Sequence, residues 1–213
     1  MKNNKAGYSF GEELANSITH GIGALMSVAA LVLLVVFAAL RKDAWSIVSF
    51  SIYGTTLILL YLSSTLYHSF PDGKAKNVFQ VLDHSAIFLL IAGTYTPILL
   101  ILMRTPWGIF LLSLVWVMAI LGILFKVFFW GKLPVLSTLY YVIMGWLALL
   151  ILKPLLLVVP FGMIIWIAAG GACYTAGVIF FAWEKLPYNH AVWHLFVLAG
   201  SITHFFSMFL YLA

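Results

Sequence analysis

The chain has 213 residues, of which 64% are hydrophobic and 8% charged, with a mean hydropathy of +1.11. That much apolar surface has no use in a soluble domain. The formal net charge of +5 comes from basic residues scattered singly, without the basic stripe that nucleic-acid binding needs. Cys173 is the only cysteine, which excludes an internal disulfide and a cysteine-based metal cage.

The first fifteen residues are polar, carry both signs of charge, and lack the basic-then-apolar layout of a cleavable signal. Ser9 and Glu12 have capping-box spacing, which predicts a short helix from near Phe10 leading along the interface into the first span. Residues 1–17 are read as a cytoplasmic segment and 18–213 as the membrane domain. A hydrocarbon core about 30 Å thick takes roughly 20 helical residues. Apolar runs fall at 18–40, 44–68, 80–103, 106–129, 133–153, 155–183 and 188–212, the sixth long enough to tilt or bend. The runs are continuously apolar, whereas a membrane barrel would alternate. The expected fold is therefore all-α, a seven-transmembrane helix bundle spanning the cell membrane several times.

Basic residues set the orientation. The side of the N-terminus holds Lys2, Lys5, Lys74, Lys76, Lys126, Lys132 and Lys185, whereas the other holds Arg41, Lys42, Arg104 and Lys153. The positive-inside rule then places the N-terminus in the cytoplasm and the C-terminus outside.

The ionisable residues within the runs gather at that cytoplasmic side. His68 closes the second run, Asp83 and His84 open the third, and His190 and His194 open the last. Such groups at membrane depth are costly and usually mark a function. His190 and His194 stand about 40° apart on one helix face, one turn apart, and the same stripe continues through Ser201 and His204. Ser64 and His68 repeat the i, i+4 device on the second span. Three imidazoles with a carboxylate or water suit tetrahedral zinc, so His68, His190 and His194 are read as ligands, with Asp83 binding directly or through water. Each piece alone has a plainer reading. A histidine pair fits a solvated helix end, Asp83 a helix N-terminal charge, and Ser64 a hydroxyl bonded back to its own helix. Their convergence at one depth favours zinc. His204 lies about 15 Å deeper than His194 and is expected to bond another helix. His84 is expected at the interface or against a helix, and His20 at the interface or behind the ligands.

The segments Glu12-Glu13-Leu14-Ala15-Asn16, Thr19-His20-Gly21-Ile22-Gly23 and Ser63-Ser64-Thr65-Leu66-Tyr67-His68 carry a family resemblance. So do Leu82-Asp83-His84-Ser85-Ala86-Ile87, Gly93-Thr94-Tyr95-Thr96-Pro97 and His190-Ala191-Val192-Trp193-His194. In these the chain resembles the hemolysin III branch of the progestin and adipoQ receptor family, from the first span to the last. The resemblance implies seven helices, a cytoplasmic N-terminus and zinc on His68, His190 and His194, with Asp83 near the metal through water and Ser64 adjacent. Receptor relatives are associated with ceramide amide hydrolysis, and the bacterial branch is named for haemolysis. This chain has His84 where the receptors have an aromatic and lacks their long N-terminal domain, so receptor partners and ceramide specificity do not transfer.

Three functions compete at this stage. The first is a zinc-dependent hydrolase of a lipid amide or ester, in which Asp83 serves as acid–base and Ser64 steadies the oxyanion. The second is a pore-forming cytolysin or channel, and the third a membrane-homeostasis sensor with structural zinc. In each the expected partner is membrane lipid; substrate and oligomeric partners stay unassigned.

Overall fold

The computed structural model describes residues 8–128 and 134–213, which are helical with short connections and contain no strand. Lys2, Lys5 and Lys132 of the orientation count lie outside the described residues, as do the expected span limits at 129 and 133. Eight α-helices make seven spans. They are α1 (Phe10–Leu40), α2 (Ala44–Ser69), α3 (Lys74–Pro97), α4 (Pro106–Phe128), α5 (Pro134–Trp146), α6 (Leu152–Val158), α7 (Phe161–Ala182) and α8 (Asn189–Tyr211). A 3-10 turn, Leu147–Ile151, joins α5 and α6 into one span, and a π-helical turn, Ile98–Leu102, extends α3. Seven helices are thus long and apolar enough to cross a membrane, and the protein is a multi-pass membrane protein.

The local chemistry explains the helix limits. Ser9 and Glu12 close a reciprocal capping box at the start of α1, which then runs unbroken for 31 residues. At 1.5 Å per residue this helix is about 46 Å long, more than a bilayer core requires, so its first turns stand beyond the deepest hydrocarbon. Lys42 turns the chain through a left-handed conformation (φ 57°), and Asp43 caps α2 by accepting from the Trp45 amide and the Ser46 hydroxyl. The Ser46 hydroxyl and neighbouring backbone amides hold the Asp43 carboxyl below its usual range. Pro97 removes one helical donor, and the chain passes into the π turn there instead of ending.

The first and third spans begin earlier than expected, at Phe10 and Lys74, and the boundary between the fifth and sixth moves. The fifth and sixth spans do not part at residues 153–155. Lys153 and Pro154 lie inside α6, and the break comes at Val159, which is extended, with Pro160 opening α7. Lys-Pro resembles a loop in sequence. However, Pro154 sits in the first turn of a new helical segment, where a missing N–H costs nothing.

Packing is uneven. α2 is enclosed by α1 and α3, α7 lies along α8, and α1 closes against α8. The core centres on Tyr53, Phe50, Tyr61, Phe88 and Leu99, all essentially inaccessible. Outward faces carry bare apolar side chains such as Leu25 (76% exposed) and Leu157 (81%), which is sensible only against lipid. Because spans alternate in direction, the start of α1, end of α2, start of α3 and start of α8 share the N-terminal side of the bundle.

Candidate metal centre

At that side the sequence-predicted histidines meet. His68 comes from the last turns of α2, while His190 and His194 occupy successive turns at the start of α8; all three are buried. Each offers a ring nitrogen, and these atoms lie within 4.8 Å of one another, so the three could hold one metal ion. Their ring centroids form a triangle with sides of 5.1, 5.3 and 4.5 Å. Asp83 does not belong to this group of mutually close ligand atoms among the described residues.

The hydrogen bonds fit a metal. His68 Nδ1–H donates to Glu13 Oε2 at 2.5 Å, which leaves Nε2 with a free lone pair and no partner. The Asn16 amide nitrogen stands 3.5 Å from the same Nδ1, too far to rival the carboxylate. His194 Nδ1–H points to the Asn16 carbonyl and the Thr19 hydroxyl, each at 3.2 Å, which assigns its lone pair to Nε2. His190 is buried with neither ring nitrogen paired. Buried polar atoms are rarely left unsatisfied, and the unpaired nitrogens of His68 and His190 beside His194 suit a shared metal ion. Metal-bound histidines usually donate their other N–H to a carboxylate or carbonyl, as His68 and His194 do here.

α1 supplies most of the surrounding shell. Besides Glu13, Asn16 and Thr19, it places His20 flat against His194, with centroids 3.4 Å apart, and both His20 nitrogens unpaired. His20 therefore lies behind the ligands, not at an exposed interface. Just before α1, Tyr8 packs its ring on His68 and His190, with centroids at 5.9 and 5.1 Å. Although Tyr8 is 36% exposed overall, burial of its hydroxyl, and then the charges of Glu13 and Asp83, push its pKa up to about 12. It is a neutral phenol.

The other residues singled out in sequence divide. Asp83 is 7% exposed and Ser64 fully buried; the Ser64 hydroxyl lacks a close partner yet lies within electrostatic reach of the Asp83 carboxylate. His84 Nδ1 lies 2.8 Å from the Gln80 carbonyl on its own helix and 3.7 Å from Asp83 Oδ2. His204 Nε2 stands 3.1 Å from the Ile167 carbonyl of α7, so it bonds a neighbouring helix as expected from its depth.

A cavity of about 330 Å³ opens beside the centre. Asp83, His190 and His194 line it, together with Tyr174, His204, Ile164 and Leu155. The volume lies within the range of small-molecule pockets, and the walls are mainly apolar. Two residues were missed in sequence: Tyr8, and Glu13, whose neighbour Glu12 drew attention as a cap. The signal was present, because Glu13, Asn16, His20, Gly23 and Ser27 repeat at three- and four-residue steps along one face of α1.

An integral membrane protein of seven helices with a buried three-histidine cluster is the class defined so far. The chain matches the family of haemolysin-III related proteins over residues 8–205 and belongs to it. It is 52% identical to "Hemolysin-3" of Bacillus cereus across 94% of this chain and 91% of the relative. Against the "Hemolysin-3 homolog" of Bacillus subtilis (strain 168) it is 48% identical across 96% of each chain. The "Monocyte to macrophage differentiation factor" of Homo sapiens is 29% identical across 94% of this chain and 84% of that protein.

Proposed function

We propose that this protein is a membrane-embedded, zinc-dependent hydrolase of lipid amide or ester bonds, with its centre on the cytoplasmic side. The observation that carries this reading is the convergence of three buried histidines, two with unpaired ring nitrogens, beside an apolar cavity that also holds Asp83. Zinc is the metal of choice because the donors are all imidazole and the charge load is small. The excess of basic residues on the N-terminal side supports the orientation.

His68, His190 and His194 would hold the ion. Zinc bound there would supply Lewis acidity to a water and to the scissile carbonyl. Asp83, reaching the centre through water, accepts a proton from the attacking water and returns it to the leaving amine or alcohol. Ser64, whose hydroxyl lies beside the Asp83 carboxylate, donates it to the carbonyl oxygen as that atom gains charge. The apolar cavity accepts the acyl chain and keeps bulk water from the reacting bond.

A second reading follows the name of the Bacillus relatives, in which the chain lyses membranes as a pore-forming cytolysin. A third makes the zinc structural, within a membrane-homeostasis sensor. One experiment separates all three. Metal content is measured on purified protein, lipid extract is analysed before and after incubation, and dye leakage is followed from vesicles of the same lipid. The hydrolase reading requires about one zinc per chain and loss of a lipid amide or ester, both abolished together by His190→Ala. Zinc without lipid turnover supports the structural role, and leakage that survives His190→Ala supports the pore.

A further inference from the structure

Glu13 takes no part in the chemistry above, yet its carboxylate makes the shortest polar contact to the histidine cluster, 2.5 Å to His68 Nδ1. We propose that Glu13 is a positioning residue that fixes the tautomer and ring orientation of His68, turning Nε2 onto the metal. The inference rests on the metal reading.

His68 is the single ligand from α2, and it stands one residue before that helix ends. An imidazole there can present either nitrogen unless something fixes the other. His194 gets that service from the backbone carbonyl of Asn16, which no substitution removes. For His68 the service comes from a side chain.

Glu13 is itself held at both oxygens. Oε2 receives the His68 N–H, while Oε1 receives Lys76 Nζ at 2.6 Å, and Lys76 also reaches the Phe70 carbonyl at 3.3 Å. The carboxylate is thereby anchored among the first turns of α1, the end of α2 and the start of α3, with its side chain only 16% exposed. A surface tether would need only the lysine. The second oxygen instead faces a fully enclosed imidazole whose opposite nitrogen has no partner. Carboxylate, histidine and metal in that order is the arrangement by which outer residues orient ligands and raise their basicity.

Glu12 provides the matching control. It carries the same charge one residue away, but it caps α1 through Ser9 and lies 3.4 Å from the Tyr188 amide, with no contact to a ligand histidine. The test uses the purified full chain in detergent. Zinc affinity is measured by chelator competition, and coordination is read from the visible absorption of the cobalt-substituted protein. Glu13→Ala is expected to weaken zinc by about 10- to 100-fold and to shift the cobalt bands. Glu13→Gln, which keeps an oxygen for the His68 N–H but loses the charge, is expected to fall between it and wild type. Glu12→Gln should stay within about twofold, since a solvated charge without contact is largely screened.

Equal losses in Glu13→Ala and Glu12→Gln would reduce the effect to net charge and overturn the assignment. So would a Glu13→Ala protein that melts earlier but binds zinc as wild type does, since that outcome describes a tether. If Glu13→Ala does not fold, Glu13→Gln against Glu12→Gln decides. A wild-type protein that takes up neither metal overturns the metal reading itself, and the role of Glu13 with it.

Discussion

The two ends of the bundle spend their polar residues differently. At the end bearing Arg41, Asp43 and Arg104, polar groups do ordinary structural work. Asp43 caps α2, Arg41 reaches the Leu212 carbonyl at 3.5 Å, and Arg104 lies over the Trp45 ring at 5.2 Å. At the N-terminal end, buried polar atoms are left open. Of eleven such atoms among the described residues, eight belong to Asn16, His20, Ser64, His68, Ser85 and His190. Each unpaired buried group costs on the order of 1–3 kcal/mol, so a cluster of them fits the metal site proposed above. The far end leaves fewer buried polar atoms open, the Ser49 hydroxyl among them.

The largest way to break this contrast is to remove a ligand. His190→Ala or His194→Ala should reduce zinc from about one per chain to a small residue and abolish lipid turnover, as metal analysis and lipid assay would show. Wild-type occupancy in both variants would mean that the open nitrogens serve something else. Asp83→Asn should keep the metal, since three histidines remain, yet lower turnover by a factor on the order of 10² or more. Release of zinc from that variant would make Asp83 a direct ligand, and unimpaired turnover would remove it from the mechanism.

His204 tests how far the open end extends. Its bond to the Ile167 carbonyl makes it a helix-to-helix fastener. His204→Ala should therefore leave zinc unchanged and cost about 1–3 kcal/mol in denaturation, because the carbonyl loses its partner. The smallest effect belongs to the far end. Asp43→Ala should cost about 1 kcal/mol by loss of the cap, with metal and turnover untouched. Since the folded carboxyl sits below its usual range, this contribution is complete above the ordinary aspartate range and fades as pH falls through the depressed value. An Asp43 variant with altered metal content would erase the distinction between the ends.

Much of this was legible in the sequence because a bilayer simplifies the reading. Continuous apolar runs of span length give the seven helices, and i, i+4 spacing gives the shared face of His190 and His194. The boundary at Val159 was not legible. Lys153-Pro154 carries every local sign of a loop, and only the flanking 3-10 turn shows that the span continues through it. The meeting of α2 with α8 followed from the rule that intramembrane polar residues face inward. The share taken by α1 was foreseen only through His20; Glu13 was not, because it lies in a polar segment where a carboxylate looks solvated, and its partner is 55 positions away.

That remoteness bears on how the protein is made. Asn16 and His194, whose contact completes the shell, are 178 positions apart. The ribosome releases the first helix long before the last, and domains generally form as their segments emerge. α1 and α2 can pair early, with Glu13 already on His68, but two of the three ligands arrive only with the final helix. A chain that stops short of α8 enters the bilayer as a bundle with one ligand and an uncovered polar face. On the zinc reading proposed above, metal uptake would be an end-of-synthesis event, because two of the three histidines arrive only with α8.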